Sequence, residues 1–438
     1  MPELRTPVAI VGGGFSGTMV AANLARRGIR SVLIEANGQA GQGAAYSTIE
    51  PAHLLNIRAN NMGAWADDPG HFARTEGAEP DEFAERRRYG RYLRSILDQA
   101  IESGCVQLIE NRAVEAKRHV EGWQVRLEGG DSVEAGALVL AIGNQPPAEL
   151  PFAKLAGAHL IDNPWGKRAR SAISEAAASS DDIIIVGTSL TMVDVVLSLD
   201  RTDHRGRIVA VSRRGKIPLA AGLHDPAPVQ WENLPQLKVR EFAKWLRNRS
   251  ANVDWRSAID SLRPHSHRIW QTFSNEEKRR FLRNGRPWWD IHRHRIAPQV
   301  AARIAQLVSD GRLEIVAGRV ATVEAYDGGV DVAIRRRGKA EADSPQRFGY
   351  VFNCTGPLGD IGRTAEPLLR HLLDGGLVVP DELSIGLAVD ERCRAAPGER
   401  LWALGTLTKG RYWEIIAVPD IRHQAAAVAE DIATELGQ

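Results

Sequence analysis

The sequence predicts an α/β fold in which two units of parallel strands and crossover helices follow one another along the chain. Two observations support this prediction. The stretch VAIVGGGFSG at residues 8–17 is a run of apolar β-forming residues that meets closely spaced glycines, and IIIVGTSLTMVD at 183–194 repeats the pattern in weaker form. Strand-like and helix-like segments alternate after each stretch, as they do in parallel sheets joined by crossover helices.

The composition is that of a globular protein long enough for two domains. The chain has 438 residues, of which 43% are hydrophobic and 25% are charged, and its formal net charge is +2. A chain of this length can bury two substantial cores. Because the net charge is close to zero, it gives no reason to expect a nucleic-acid partner.

The sequence also predicts where the protein works. It contains no run of 18 or more apolar residues, so we expect no membrane span. The first strand begins within about seven residues of the N-terminus, which is too close for a signal peptide, so we expect a cytoplasmic protein. Cys105, Cys354 and Cys393 are odd in number and far apart, which predicts neither a disulfide framework nor a CxxC redox or zinc site.

The first unit has the pattern of a strand, a helix and a second strand. Residues 7–11 (PVAIV) predict a buried strand, Thr18–Arg27 a helix, and residues 31–35 (SVLIE) the next strand. The stretch 37–70 is rich in Gly, Asn and Ala without clear periodicity, and it predicts a long ordered loop. Long loops of this kind are commonly functional.

Later segments extend both units. Helices are predicted over Tyr89–Glu102, Thr191–Leu199 and Pro419–Leu436, and the segment 226–310 is predicted to be a helical insertion within the second unit. The predicted strands are VQLIE, WQVRL, ALVLAIG, DDIIIVG, RIVAVS, LEIVAG, VDVAI, YVFNCTG and LWALG.

The first glycine turn fits G-x-G-x-x-G between a strand and a helix. Gly12 permits the tight turn, Gly14 lets the backbone approach a pyrophosphate, and Gly17 lets helix and strand pack closely. The helix N-terminus then offers free N–H groups to the phosphates. Glu35 ends the second strand, where its carboxylate can accept hydrogen bonds from ribose hydroxyls and would repel a 2′-phosphate. The unit therefore predicts a Rossmann-like site for FAD or NAD, and the alternative is a tight turn in an ordinary α/β domain.

The second glycine turn keeps Gly187 but has Ser189 where the second glycine would stand. Its partner strand ends in SRRG, so Arg213 and Arg214 lie where the first unit has an acid. Two guanidinium groups suit the 2′-phosphate of NADPH. The alternatives are a plain structural turn and solvated arginines.

Longer motifs resemble the FAD-NAD(P)-binding family of bacterial flavoproteins, which is related to class B-type flavin monooxygenases. The motifs are YSTIEPAHLLNIRANNMGAWADDPGHF (46–72), RRRYGRYL (86–93), AIGNQPP (141–147), WWDIHRHRIAP (288–298), VFNCTGP (351–357) and LWALGTLTKGRYWEIIAVPDIRHQA (401–425). The resemblance covers nearly the whole chain. It implies fold and cofactors more firmly than it implies a reaction.

The resemblance implies two Rossmann-like dinucleotide-binding domains, with FAD and NADPH as cofactors. The FAD domain would be discontinuous, over residues 1–148 and 350–438. The NAD(P) domain, 149–349, would be inserted between these parts and would carry the helical insertion at about 226–310. AIGN and NCTG would be paired crossing strands at the two hinge points.

The resemblance also implies cofactor contacts outside the glycine turns. It places the N-terminus of the last helix at the flavin pyrimidine, where its positive end would stabilise an anionic reduced ring, although the helix could also be merely docked. It places His53 and Asn56 along the flavin as contacts rather than as acid–base groups. The full predicted cofactor set is Gly12, Gly14, Phe15, Ser16, Gly17, Glu35, Ala36, Gly43, Tyr46, His53, Asn56, Val114, Gly143, Asn144, Gly187, Ser189, Leu190, Arg213, Arg214, Gly405, Trp413 and Glu414.

The sequence disfavours two reaction classes known for such proteins and leaves a third open. Disulfide reductases of this architecture need two nearby cysteines, which the chain lacks. Baeyer–Villiger enzymes carry F-x-G-x-x-x-H-x-x-x-W between the nucleotide turns, but Gly157, His159 and Trp165 have the wrong spacing. N-hydroxylation stays open, because in this class the cofactors carry the chemistry and no catalytic triad is needed.

The leading hypothesis is therefore an NADPH-dependent FAD monooxygenase acting with molecular oxygen on a small molecule such as an amine or amino acid. The alternatives are an NAD(P)H-dependent reductase that passes electrons to a quinone, carbonyl or protein acceptor, and a non-enzymatic redox-sensing flavoprotein. The sequence predicts no specific catalytic residues. It does not determine the oligomeric state, and a homo-oligomer is possible.

The motif WWDIHRHR at 288–295 is a further candidate site. His292 and His294 are two residues apart and face different directions on a helix, so no metal site is expected. Arg293 and Arg295 could hold NADPH phosphates or an acidic substrate. The alternative is that the tryptophans pack against the second domain while the arginines are solvated.

Overall fold

The computed structural model describes residues 4–235, 238–396 and 398–437. They form two seven-stranded sheets, each flanked by helices. In chain order the strands are β1 (Leu4–Val11), β2 (Ser31–Ile34), β3 (Val106–Ile109), β4 (Ala113–His119), β5 (Gly122–Leu127), β6 (Ser132–Leu140), β7 (Leu160–Ile161), β8 (Ile183–Val186), β9 (Ile208–Ser212), β10 (Leu313–Tyr326), β11 (Gly329–Arg336), β12 (Gln346–Phe348), β13 (Tyr350–Asn353) and β14 (Leu401–Ala403).

The helices cover the sheets and form one separate cluster. They are α1 (Phe15–Ala25), α2 (Gly43–Tyr46), α3 (His71–Glu76), α4 (Arg86–Glu102), α5 (Ala153–Ala156), α6 (Lys167–Ser179), α7 (Leu190–Arg201), α8 (Val239–Arg249), α9 (Trp255–Asp260), α10 (Ser266–Thr272), α11 (Asn275–Arg280), α12 (Arg286–Arg293), α13 (Pro298–Ser309), α14 (Pro367–Asp374) and α15 (Val418–Glu435). None of the helices in the described part of the chain has both the length and the apolar character needed to cross a membrane.

The first sheet has the strand order β3-β2-β1-β6-β5-β4, and β14 also pairs with β6. Strands β1, β2, β3, β6 and β14 are parallel, while β4 and β5 form an antiparallel meander with β6. Helices α1, α4 and α15 bury apolar residues against one face of this sheet. The strand β14 comes from the far C-terminal part of the chain, so the first domain is discontinuous.

The second sheet has the order β12-β11-β10-β9-β8-β13-β7. It includes β13, which pairs in parallel with both β8 and β7. The predicted boundary at 349/350 therefore falls before a strand of the second domain rather than after it. AIGN and NCTG were expected to pair with each other, but β6 and β13, which precede them, lie in different sheets.

The helical insertion is shorter than predicted. Helix α13 lies within the expected 226–310 segment, but Val300, Ile304 and Leu307 pack in one cluster with strands of the second sheet. It connects the parallel strands β9 and β10, and such a connection requires a crossover helix on the sheet. The insertion proper is therefore α8–α12, and its apolar cluster includes Trp270 and Trp413, the second of which comes from the first domain.

Most predicted elements of the two βαβ units are present, with shifted ends. Helix α1 begins at Phe15 rather than Thr18, because Gly14 is its N-cap and the helix starts directly after the turn. The predicted loop 37–70 contains α2 and a 3₁₀ turn over Ala59–Asn61. The strand β4 and the helices α6 and α14 were not predicted.

Candidate functional site

The first glycine turn packs directly on the chain that follows β6. Gly12 has a φ of +104°, and a Cβ placed on it would overlap Ala141 O. A Cβ on Gly17 would overlap Gly12 O. Glycine is therefore required at both positions, at the first by backbone conformation as well as by space. The turn therefore leaves backbone atoms uncovered by side chains at the N-terminus of α1.

Glu35 is held inside the same turn. Its side chain is buried, Oε2 accepts from Gly13 N at 2.7 Å, and Oε1 accepts from Asn37 N at 2.8 Å. Each oxygen keeps a further lone pair for a ribose hydroxyl. The motif did not single out Gly13, although a Cβ there would lie 2.9 Å from Glu35 Cβ. The run of three glycines was the signal that could have found it.

Two further predicted glycines converge on the start of α1, where Phe15 and Ser16 form the first turn. A Cβ on Gly43 would lie 2.8 Å from Gly14 Cα, and a Cβ on Gly405 would lie 2.9 Å from Ser16 Oγ. The first N–H groups of a helix lack intrahelical partners and attract anions. Three chain segments with glycine at the point of contact thus surround the N-terminus of α1. This arrangement leaves room for the diphosphate of a dinucleotide at an anion-binding helix end.

Two predicted residues lie farther along the sheet edge. Ala36 is exposed just after β2. Val114 sits where the β4–β5 register shifts between Ala113 and Glu115, and a bulge of this kind leaves one residue outside the ladder. Val114 also lines an open surface depression with Arg370, and its predicted cofactor contact stays a prediction.

The remaining predicted contacts of the first domain differ in their surroundings. Gly143 has a φ of +76° and open space where a Cβ would be. Asn144 is exposed, and its Oδ1 lies 3.5 Å from Lys409 Nζ. Tyr46 packs edge-on against Tyr89 with ring centroids 4.7 Å apart, and burial raises the pKa of Tyr46 to about 12.

His53 lies between the two domains, where protein atoms occupy both of its ring nitrogens. Its Nδ1 is 2.8 Å from Thr48 Oγ1, and its Nε2 is 2.9 Å from the carbonyl oxygen of Asp194 and 3.0 Å from Ser198 Oγ. His53 thus links the first domain to α7, and its predicted cofactor contact stays a prediction. Asn56 lines a small cavity at the same junction with Arg86 and Asp194.

The second glycine turn repeats the packing of the first. Gly187 has a φ of +115°, and a Cβ on it would overlap Cys354 O, just as Gly12 meets Ala141. Ser189 is the exposed N-cap of α7 and Leu190 its first residue. Thr188, between Gly187 and Ser189, is buried, and its Oγ1 lies 2.8 Å from Ser212 Oγ. The second turn is therefore built like a nucleotide-binding turn despite its missing glycine.

Arg213 and Arg214 follow β9 beside this turn. Arg213 is exposed, and Arg214 Nη1 makes a long 3.4 Å contact to the carbonyl oxygen of Asn284 in the insertion. Lys216 was missed by the sequence reasoning. Burial together with Arg214 and Arg337 lowers the pKa of Lys216, so several cations crowd this corner. Such crowding favours an anionic ligand.

A buried polar cluster joins the insertion to the first domain ahead of α15. Glu414 is buried, its Oε1 accepts from Trp289 Nε1 at 2.7 Å, and its Oε2 lies 3.0 Å from Arg293 Nε. The pKa of Glu414 is lowered, since Arg293 and His294 outweigh the effect of burial. Trp413, predicted as a cofactor contact, stacks on Trp270 at 5.0 Å and belongs to the insertion core.

The WWDIHRHR motif supplies part of this cluster. Arg293 faces Glu414, whereas Arg295 pairs with Asp260. Neither arginine is solvated, because their side chains are only 9% and 11% exposed. Trp289 packs in the insertion core and Trp288 is exposed. Trp289 thus packs within the insertion and against the first domain, whereas the exposed Trp288 ring lies against Lys216 of the second domain.

Further side chains in the same region have buried polar atoms that make no hydrogen bond. Among the described residues, Arg263 Nη2, His267 Nδ1 and Asp420 Oδ2 are buried without a hydrogen-bond partner, and Arg263 Nη2 lies 3.7 Å from Asp420 Oδ2. Burial lowers the pKa of His267. Buried polar atoms rarely stay unpaired, so these groups are suited to a polar ligand.

Lys409 adds a cation to the polar cluster from the first-domain side. Burial and the neighbouring Arg286 lower its pKa to about 8. Lys409 directly follows the 3₁₀ turn Gly405–Thr408. The chain therefore runs within a few residues from Gly405, which contacts Ser16, to the polar cluster. The segment after β14 thus runs from the anion-binding helix end to the insertion.

Comparison with known proteins identifies the first part of the chain. Residues 9–145 match the model of a family described as FAD-NAD(P)-binding. Over these residues the chain is therefore similar to FAD-NAD(P)-binding proteins. The match contains Gly12, Gly17 and Glu35, and it confirms the predicted family and the prediction of FAD and NAD(P) as cofactors. No curated protein sequence matches the chain.

Solved structures of low sequence identity share the fold over the whole chain. Ornithine hydroxylase from Pseudomonas aeruginosa is 16% identical with a TM-score of 0.66, over 99% of this chain and 100% of that one. An ornithine N-hydroxylase from Kutzneria sp. 744, with reduced FAD, NADP⁺ and L-ornithine, is 16% identical with a TM-score of 0.65, covering 99% and 100%. Bacillithiol disulfide reductase from Staphylococcus aureus is 13% identical with a TM-score of 0.60, covering 99% and 99%. The predicted α/β fold with two Rossmann-like domains is confirmed.

Proposed function

We propose that the protein is an FAD-dependent, NADPH-consuming monooxygenase that hydroxylates a nitrogen atom of a small amine or amino acid. The main support is the buried polar cluster between the insertion and the segment ahead of α15. It brings Arg263, His267 and Asp420, each with a buried atom that makes no hydrogen bond, close to the Arg293–Glu414 ion pair, and such groups suit a small polar substrate. The shared fold with ornithine hydroxylases agrees with this proposal.

The chain's residues fit both cofactors. The α1 N-terminus with Gly12, Gly14 and Gly43 would hold the FAD diphosphate, and Glu35 the ribose. The turn at Gly187 and the arginines after β9 would hold NADPH. When bound, the two cofactors supply the redox chemistry, namely two electrons from the nicotinamide and the activation of molecular oxygen.

The protein's own part would be to hold the substrate and to move its proton. An amine must lose its ammonium proton before its lone pair can accept oxygen. His267 is neutral at pH 7, because burial lowers its pKa, and its Nδ1 is unpaired among the described residues. In this proposal His267 takes the proton from the substrate, and Asp420 and Arg263 orient the polar end.

The test is a sequence of three measurements on the purified protein. NADPH should bleach the bound flavin without oxygen, and readmitted oxygen should restore the yellow colour. With a suitable amine, the hydroxylated product should form in proportion to the NADPH consumed. Consumption of NADPH that yields only hydrogen peroxide with every amine and amino acid tried contradicts the proposal.

A second candidate function is supported by the shared fold with bacillithiol disulfide reductase. An enzyme of this kind would pass electrons from NADPH through FAD to an external acceptor such as a quinone, a carbonyl or a protein. A dithiol relay is not available, because the three cysteines are free and burial raises the pKa values of Cys354 and Cys393. Anaerobic turnover with such an acceptor would favour this function, whereas bound FAD that NADPH cannot reduce would favour a redox sensor.

A further inference from the structure

The surface of the second domain beside the Gly187 turn, referred to below as the nucleotide corner, contains a lysine and a tryptophan in addition to the two arginines after β9. Lys216 Nζ lies 3.2 Å from the ring centroid of Trp288, which comes from α12 of the insertion. Trp288 is nevertheless 52% exposed. Trp288 therefore presents an aromatic surface to solvent beside several cations, an arrangement that suits an anionic ligand with an aromatic ring.

The backbone holds the cations of this corner together. Gly215 has a φ of +57°, and a Cβ on it would lie 3.0 Å from Ala317 N, at the point in β10 where its pairing with β9 ends. Arg337 directly follows β11, and its backbone N donates to Ala317 O at 2.7 Å, so it lies beside the same residue of β10. On the other side, Thr188 Oγ1 donates to Lys216 O at 2.5 Å. The second glycine turn, the loop after β9 and the residue of β10 at which its pairing with β9 ends therefore lie together near Lys216.

We infer that Lys216, Arg337 and Trp288 complete a site for an adenosine carrying a 2′-phosphate, together with Arg213 and Arg214. This inference rests on the proposed use of NADPH. The cations surround a dianionic phosphate, and the open part of the Trp288 indole stacks on the adenine. Because Trp288 belongs to α12, the bound nucleotide bridges the second domain and the insertion.

The bridge has a consequence for the polar cluster. The neighbouring residue Trp289 donates to Glu414 of the first domain, so α12 contacts the nucleotide corner through one tryptophan and the first domain through the next. Binding of the 2′-phosphate thereby holds the insertion against both domains. NADH, which lacks this phosphate, makes the contact to Trp288 but not the contacts to the cations.

The test is calorimetric binding of 2′,5′-ADP and of 5′-AMP to the intact protein, with no turnover. Wild type should bind 2′,5′-ADP about tenfold or more tightly than 5′-AMP, since charge-assisted hydrogen bonds to the phosphate contribute at least that factor. Lys216→Gln and Arg337→Gln should each remove about tenfold of the 2′,5′-ADP affinity and leave 5′-AMP binding unchanged. Lys216→Arg should keep most of the affinity for 2′,5′-ADP.

Trp288→Leu should weaken both ligands by about the same factor, roughly tenfold for a stacked base, and Trp288→Phe should restore binding. Lys244→Gln, on an exposed site of α8, is the matched control and should change neither affinity. Equal affinities of wild type for the two ligands, or an unchanged affinity ratio in Lys216→Gln and Arg337→Gln, would overturn the inference. The proposed function fails separately, if NADPH does not reduce the flavin of the wild-type protein.

Discussion

Arg86 of the first domain and Asp194 of the second form an ion pair across the domain junction, with 2.8 Å between Nη1 and Oδ2. Their side chains are 15% and 6% exposed. The same arginine donates through Nε to Leu54 O at 3.0 Å, and the carbonyl oxygen of Asp194 is bonded by His53. The two Rossmann-like domains are therefore joined near the strand ends at which their nucleotide turns lie.

Breaking this pair should destabilise the protein strongly. Arg86→Ala leaves Asp194 buried without its partner, which should cost about 3–5 kcal/mol in the free energy of unfolding. Urea denaturation measures the effect, and flavin reduction by NADPH should slow because the domains lose a fixed contact. Arg168→Ala, which removes a half-exposed ion pair with Glu175, is the control and should cost less than about 1 kcal/mol. Similar losses in the two variants would contradict a buried, energetically important junction.

Gly12→Ala should abolish flavin binding. The added methyl group overlaps Ala141 O at a backbone φ of +104°, so the turn cannot keep its shape. The purified variant should be colourless, as measured by flavin absorbance per mole of protein. Gly129→Ala has a similar conformational strain, with φ +89°, but open space around the methyl group. It should cost about 1–3 kcal/mol from the backbone strain alone and keep the yellow colour. A yellow Gly12→Ala protein would show that FAD is held elsewhere.

Trp289→Phe should loosen the insertion. The change removes the 2.7 Å hydrogen bond to Glu414 and leaves that buried carboxylate with fewer partners, at a cost of about 1–3 kcal/mol. Limited proteolysis should cut the insertion faster, and the KM of the amine should rise. Trp288→Phe changes the adjacent, exposed ring and should leave the protease sensitivity at its wild-type level. Equal cleavage rates in wild type and Trp289→Phe would rule out this role for the contact.

His267→Gln should lower the kcat/KM of the amine by about 10²–10⁴ at pH 7 if the histidine accepts the substrate proton. Burial lowers the pKa of His267, so wild-type activity should fall only when the pH drops below the ordinary histidine range. The variant should recover as the pH rises toward the pKa of the substrate amine, because less substrate then needs a base. His423→Gln, a partly exposed histidine of α15, should keep the wild-type pH profile. A variant defect that is the same at all pH values would assign His267 a structural role.

The two glycine turns could be recognised from the sequence because each depends on residues adjacent in the chain. An apolar strand, a residue that can adopt positive φ and a helix start follow one another, so local pattern was sufficient for Gly12, Gly17 and Gly187. The same local reasoning placed α1 three residues late, because it did not use Gly14 as the N-cap. It also missed Gly13, whose role depends on contact with Glu35.

The sequence by itself determined the fold class, the position of both nucleotide turns and the acidic and basic ends of their partner strands, because these follow from short-range spacing. Only the tertiary structure decided that His53 joins the domains, that α13 belongs to the second sheet and that Trp413 packs on the insertion. It alone brought Lys216 to Trp288 and Trp289 to Glu414. The last two residues are 125 positions apart, and such contacts follow from how the packed domains meet, which no local pattern specifies.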